Sequence, residues 1–455
     1  MIFTRRQFGA TMLGTAFVGL ATRAYANLPF TGKNEVAGYG DLLSDPGRLL
    51  DLPEGFSYKV ISRLGNLMND GMVVPNAADG MGCIDIGDGK IALIRNHELD
   101  HRQLREGPFR SKVGPELKAY DRLSNKSKMP VPGGTTTLVY DMNAGKVVEE
   151  YLSLVGTVRN CSGGITPWGS WLTCEESSLE VGEGVDKNHG YIFEVPASHK
   201  GLVDPVPLKA MGCFVHEAVC IDPRTGIAYM TEDRGDSLFY RFIPKVKGKL
   251  AEGGTLQALA LKDISDTRNW DSRQIDRGSD HRAEWITLGN PERSAGELRE
   301  RGAKLGATIF ARGEGIFWDE KEQQLFFTAT SGGAKKFGQI FRYKPSRKEG
   351  GKGKQGKLEL FLESQDAAIY NLGDNICVMP NGHLMVSEDQ YTDITNNHLR
   401  GVTPDGKTYI FGRTRIQTEF AGTCFSPDGS TMFVNLYSPS TTFAITGPWD
   451  KVISA

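Results

Sequence analysis

The sequence predicts an all-β protein, a six-bladed β-propeller with long inter-strand insertions. Three observations carry this expectation. Glycine and proline are frequent, 55 and 21 of 455 residues, which suits many turns and short strands better than long helices. A strand–turn–strand module recurs six times. Several of these hairpins are followed by a further strand, as a propeller blade requires. A composition of 39% hydrophobic and 24% charged residues supports a buried core and excludes a disordered or fibrous chain.

In chain order, Thr4-Arg5-Arg6-Gln7-Phe8 opens a charged segment, residues 9–20 are apolar, and Ala24-Tyr25-Ala26 gives a small-x-small cleavage pattern. Residues 1–26 therefore read as a signal peptide of twin-arginine type, leaving 27–455 as a single propeller domain. The expected address is the periplasm or the exterior, reached through the twin-arginine export machinery. No later stretch is long and apolar enough to span a bilayer, so no stable membrane insertion is expected.

The six hairpins cover residues 83–98, 163–176, 216–233, 313–328, 374–389 and 422–435. Added strands follow at 190–195, 238–242 and 339–343, rich in aromatic and β-branched residues. The spacing greatly exceeds a usual propeller repeat of about 40–50 residues, so large insertions are expected. Residues 100–134, the charged 245–306 stretch and the Lys/Gly-rich 346–357 run are the candidates, read as solvated loops. A two-sheet sandwich built from ordinary hairpins is the alternative.

Formal charge is −2, too close to neutral for a chain built to bind polyanions, and nucleic acid is excluded as a partner. Seven cysteines leave at least one thiol unpaired within a monomer, the expected state. Burial in strands is the default for each.

Acids recur at two places in the module, the start of the first strand and the end of the second, which are neighbours in a hairpin. Glu217, Glu314 and Asp374 occupy the first place. Glu98, Glu175-Glu176, Glu232-Asp233 and Glu388-Asp389 occupy the second. If the first strands line a central channel, these carboxylates converge at one mouth and require cations to offset their repulsion. Turn preference accounts for Asp and Gly at hairpin tips but not for Glu at strand ends. Numerous hard oxygen donors suit Ca2+ and Fe3+ better than zinc. His97 and His216 precede two of the acids, where they would orient the carboxylates by hydrogen bonds, ligation of a metal by either being the alternative. Asn160-Cys161-Ser162-Gly163-Gly164 brings a thiol to the same rim, with glycines that permit close approach of a ligand. Arg312 alternates with Glu314 and can share its cavity, holding a phosphate bidentately or simply pairing with a neighbouring acid.

Taken in order, Arg95-Asn96-His97-Glu98, Asn160-Cys161-Ser162-Gly163-Gly164, Trp171-Leu172-Thr173-Cys174-Glu175-Glu176, His216-Glu217-Ala218 and Ala311-Arg312-Gly313-Glu314-Gly315 resemble the PhoX-type alkaline phosphatases. The similarity spans most of the chain after the leader. It implies a six-bladed propeller holding oxygen-bridged Fe3+ and Ca2+, and hydrolysis of small phosphate monoesters at alkaline pH. By motif it implies metal ligation by Glu98, Cys161, Glu176, Glu217 and Glu314 and a substrate contact from Arg312. Register extends the ligand candidates to Glu232, Asp233, Asp374, Asn375, Glu388 and Asp389. The alternatives are a calcium-dependent lactonase or esterase propeller and a non-enzymatic binding propeller braced by metals.

Overall fold

The computed structural model describes residues 32–453, except 111–112, 114–115, 293–294, 352, 354 and 391–396. The expected leader, 1–26, lies outside the described residues.

Each of the six repeats forms an antiparallel hairpin. The first strands are Ala78–Gly87, Asn160–Ile165, His216–Ile221, Gly313–Asp319, Gly373–Val378 and Phe420–Phe425. Their partners are Lys90–His97, Ser170–Glu175, Ala228–Glu232, Gln324–Ala329, Leu384–Glu388 and Thr431–Leu436. The first strands pack side by side in sequence order, and Phe420–Phe425 returns to lie beside Ala78–Gly87. They thus surround a common axis, and the fold is all-β and propeller-like. The ring is fastened by the N-terminal Ser57–Arg63 strand, which pairs with the late Thr441–Thr446 strand in the last sheet. The N-terminal strand so becomes the outer strand of the last sheet and ties the two ends of the described chain together.

Hydrogen bonding departs from the simple expectation of one separate sheet per repeat. The strands fall into sheets of six, three, nine, two, four and four. The nine-stranded sheet arises because Asp280–Thr287 pairs with Lys357–Glu363, joining the third and fourth repeats. The 245–306 stretch is correspondingly not a bare loop. It carries Gly254–Leu261, Asp280–Thr287 and the helix Ala295–Lys304. Its charges mask the strand signal because Asp280–Thr287 lies toward solvent, with the burial alternating along it.

Apolar side chains fill the spaces between neighbouring sheets. Between the third and fourth repeats, Phe239 and Phe327 stack with centroids 4.4 Å apart, and Phe327 meets Phe341 at 5.2 Å. All seven cysteines are buried, with no disulfide among the described residues. Burial pushes the thiols of Cys174, Cys220 and Cys424 well up, and that of Cys213 to about 11, away from the reactive thiolate form.

One local irregularity recurs. In every hairpin the pairing slips by a residue near the start of the first strand: Ala78/Met81, Asn160/Gly163, His216/Val219, Gly313/Ile316, Gly373/Ile376 and Ala421/Cys424. A bulge of this kind bends the strand and re-aims a side chain.

Candidate metal centre

The bulges decide what faces the axis. In five repeats the second residue of the first strand is Asp79, Cys161, Glu217, Glu314 or Asp374, each buried. In the sixth it is Ala421. The residue just past the second strand is Glu98, Glu176, Asp233, Thr330, Asp389 or Tyr437. Its backbone N–H donates in each case to the carbonyl of the residue that precedes the first strand: Ala77, Arg159, Val215, Arg312, Leu372 or Glu419, at 2.9–3.2 Å. This repeated backbone bond draws the two acid-bearing points of each hairpin to one end of the axis.

The result is a continuous acidic array. Donor atoms lie within 4.8 Å of one another in four buried groups: Asp79, Glu98 and Cys161; Cys161, Glu176 and Glu217; Glu217, Glu314 and Asp374; and Asp374, Asp389 and Glu419. Each group shares a residue with the next. Cys161 Sγ sits 3.2 Å from Glu217 Oε1 and 3.5 Å from Asp79 Oδ2. Two carboxylates 4.8 Å apart repel by roughly 3.5 kcal/mol at an effective dielectric near 20, and more at shorter range. Arg159 and Arg312 reach Glu98, Glu176 and Glu314 from the side of the array. Carboxylate oxygens with one thiol are a donor set that suits hard multivalent cations, the thiol adding affinity for iron. The residues therefore fit the ions that the sequence motifs imply.

Glu98, Cys161, Glu176, Glu217, Glu314, Asp374 and Asp389 are all brought into this array. Asp233 instead lies at its edge, held by Arg312 through Nε to Oδ1 at 2.7 Å and Nη2 to Oδ2 at 2.9 Å. Arg312 Nη2 also donates to Glu314 Oε1 at 2.6 Å. Asn375 supports the array rather than joining its donor groups: its Nδ2 donates to Asp374 Oδ1 at 3.2 Å and its Oδ1 accepts from Gly422 N at 2.5 Å.

Glu232 and Glu388 are placed elsewhere, because each is the last residue of its strand and alternation turns it away from the axis. Glu388 is held by His398 at 2.7 Å and Arg400 at 3.0 Å. Burial pulls against its ionisation, but Arg400 and His398 hold its carboxyl below the usual range. Glu232 accepts from Tyr240 Oη at 2.8 Å and Leu238 N at 3.3 Å, and burial raises its pKa to about 7. Glu175, at the same register position, accepts from the N–H groups of Val158, Gly190 and Tyr191 and from His189 Nδ1 at 2.6 Å.

Neither histidine orients the acid that follows it. His97 Nδ1 meets the Asn76 carbonyl and Nε2 meets Thr136 Oγ1, both at 2.9 Å. His216 Nε2 donates to the Gly212 carbonyl at 3.0 Å, and burial lowers its pKa to about 3. The glycines after Cys161 also serve another purpose than ligand approach. A Cβ on Gly163 would lie 1.9 Å from the Leu172 carbonyl oxygen, and one on Gly164 1.7 Å from that of Val219. They let neighbouring strands approach one another.

Asp79, Glu419 and Arg159 were not singled out from the sequence. The first and last modules were begun at Cys83 and Gly422, past both acids. Starting the first module at Asp79, at the spacing of the other strand-start acids from their hairpins, brings that acid into the pattern; Glu419 and Arg159 precede their strands and carry no such signal.

Fold and site together define a propeller-like protein with an axial acidic centre of metal-binding composition. A model of the family described as alkaline phosphatase PhoX matches residues 37–440, and the chain belongs to that family. Among solved structures, Pseudomonas fluorescens PhoX in complex with vanadate, a transition state analogue, is similar with a TM-score of 0.64 and 18% identity, over 92% of this chain and 98% of that one. A gluconolactonase from Xanthomonas campestris matches with a TM-score of 0.39 and 12% identity, over 91% of this chain and 100% of the other. A curated tRNA-2-methylthio-N(6)-dimethylallyladenosine synthase from Chlorobium phaeobacteroides (strain BS1) is 27% identical over 203 residues, 40% of this chain. The chain spans 43% of the length of that relative.

Proposed function

We propose that the protein is an exported phosphomonoesterase, active at alkaline pH on small phosphate esters, with a six-bladed propeller carrying calcium and ferric iron at its axis. The carrying observation is the unbroken run of four acidic groups, with Cys161 in two of them. Family membership gives the reaction class, and the six bulged hairpins support the blade count. In this reading Asp79, Glu98, Cys161, Glu176, Glu217, Glu314, Asp374, Asp389 and Glu419 would hold the ions. Bound ions would supply Lewis acidity toward phosphoryl oxygens and offset the charge of the array.

The chain's own residues then have distinct tasks. Arg312 is fixed on two sides by Asp233 and Glu314, so its planar fork is pre-oriented without further ordering cost when an oxyanion arrives. Its charge stabilises negative charge that grows on the transferred group. The glycine contacts keep the first strands close, and the bulges keep donor atoms in register. Export follows from the expected twin-arginine leader, whose pathway carries proteins already folded and loaded.

Turnover of an aryl phosphate monoester at alkaline pH tests this reading. The expected result is activity that a chelator abolishes and calcium restores. Hydrolysis of aryl esters or lactones in place of phosphate esters would favour the lactonase-type alternative. Among the described residues no helix is long and apolar enough to cross a membrane.

A further inference from the structure

We infer that Arg159 is a second phosphate-binding guanidinium, the repeat counterpart of Arg312, and that a substrate's phosphoryl group is held between the two; this rests on the phosphatase reading. The equivalence is structural. Arg159 immediately precedes the first strand of the second repeat, and Arg312 that of the fourth. Both take left-handed backbone conformations, with φ of 49° and 53°, as Ala77 and Leu372 do at the same position in two other repeats with 55° and 50°, so the conformation is imposed by the repeat and shows the positions to be equivalent.

Their backbone surroundings match. Arg159 N donates to the Leu99 carbonyl at 3.0 Å, one residue past Glu98. Arg312 N donates to the Arg234 carbonyl at 2.9 Å, one residue past Asp233. Their carbonyls accept from Glu176 N and Thr330 N, both at 2.9 Å. The side chains are alike in that each bridges two acids, the first of them at equivalent positions and the second at different ones. Arg159 Nη2 bridges Glu98 Oε1, at 2.7 Å, and Glu176 Oε2, acids of the preceding and its own repeat. Arg312 bridges Asp233 and Glu314, again acids of the preceding and its own repeat.

Placement and exposure give the pair a shared direction. Glu176 and Glu217 belong to one acidic group, Glu217 and Glu314 to the next, so two steps along the array lead from one arginine's partner to the other's. The Arg159 and Arg312 side chains keep 23% and 25% of their surface accessible, while Glu98, Glu176 and Glu314 keep 3%, 4% and 1%. The guanidiniums are thus the part of this wall that a ligand entering the mouth meets. A tetrahedral dianion has oxygens to offer both forks while the remaining oxygen faces the array. The other four repeats place Ala77, Val215, Leu372 and Glu419 at this position, so the cationic pair is confined to one side of the mouth.

The test compares R159K and R312K with the wild type in calorimetric binding of inorganic phosphate, in KM and kcat for an aryl phosphate, and in metal content. Lysine keeps the charge but loses the fork. The expected result is phosphate affinity lower by about 10-fold or more in each variant, with a matching rise in KM, at unchanged metal content. Wild-type phosphate affinity in R159K, or loss of activity strictly in proportion to lost metal, would overturn the inference and leave Arg159 as a brace for Glu98 and Glu176. A wild type that neither binds phosphate nor cleaves the ester would instead defeat the phosphatase reading itself.

Discussion

Glu175 and Glu176, Glu232 and Asp233, and Glu388 and Asp389 are three adjacent acid pairs whose members occupy opposite environments. The first of each pair is enclosed by protein donors: three amides and His189 for Glu175, Tyr240 and an amide for Glu232, Arg400 and His398 for Glu388. The second lies at the axis, where Glu176 and Asp389 join the acidic groups and Asp233 clasps Arg312. One step along the backbone thus separates a carboxylate held away from the axis from one placed at the axial acidic array or against its arginine. Burial alone does not distinguish them, since Glu175 and Glu176 are 0% and 5% exposed. The identity of the neighbours does.

The comparison breaks most visibly at the axis. Glu217→Gln, removing the acid that links two groups, should reduce phosphatase activity by at least about 10³-fold and lower metal content, while secondary structure by circular dichroism persists. An enzyme with near-normal turnover would place the chemistry elsewhere. On the other side of the divide, Glu388→Gln leaves Arg400 buried against a neutral amide and should cost about 4 kcal/mol in denaturant unfolding, with the remaining folded fraction still metal-loaded.

His189 sharpens the same distinction through pH. Burial disfavours its charge, but Glu175 and Asp121, at 2.6 and 3.1 Å, outweigh this and raise its pKa to about 9. A raised basic pKa contributes stability that is complete below the unfolded value near 6.5 and is lost as pH climbs through 9. His189→Gln should therefore cost on the order of 3 kcal/mol at pH 6 and little of that linked term at pH 10. Denaturant midpoints at the two pH values measure it, and a pH-independent loss would contradict the charged bridge. The smallest effect belongs to Glu232, whose pKa raised to about 7 penalises the folded state progressively as pH climbs from the ordinary value of 4.5, the penalty being complete above 7. Glu232→Gln should raise stability by about 2 kcal/mol at pH 8 and by almost nothing at pH 4; a loss at pH 8 would show that its ionised form is needed.

Much of the fold was legible because hairpins announce themselves through alternation and turns. The six modules found in the sequence are the six hairpins around the axis, and Glu98, Cys161, Glu176, Glu217, Glu314 and Asp374 stood out as strand-end residues. What the sequence hid follows from one-residue effects. Reading Glu232 and Glu388 with their neighbours overlooks alternation, and starting the first and last modules at their apolar runs passes over Asp79 and Glu419. Arg159 carries no signal of its own, since its counterpart Arg312 lies two repeats away and only backbone hydrogen bonds equate them. The sheet boundaries were hidden too, because Asp280–Thr287 is a largely exposed strand whose charges read as loop.

The most direct test is elemental analysis of protein expressed with residues 1–26 retained, wild type beside Glu217→Gln. Stoichiometric iron with calcium in the wild type, and loss of metal in the variant, is the predicted result. Wild-type protein that hydrolyses phosphate esters while containing neither metal would contradict the account.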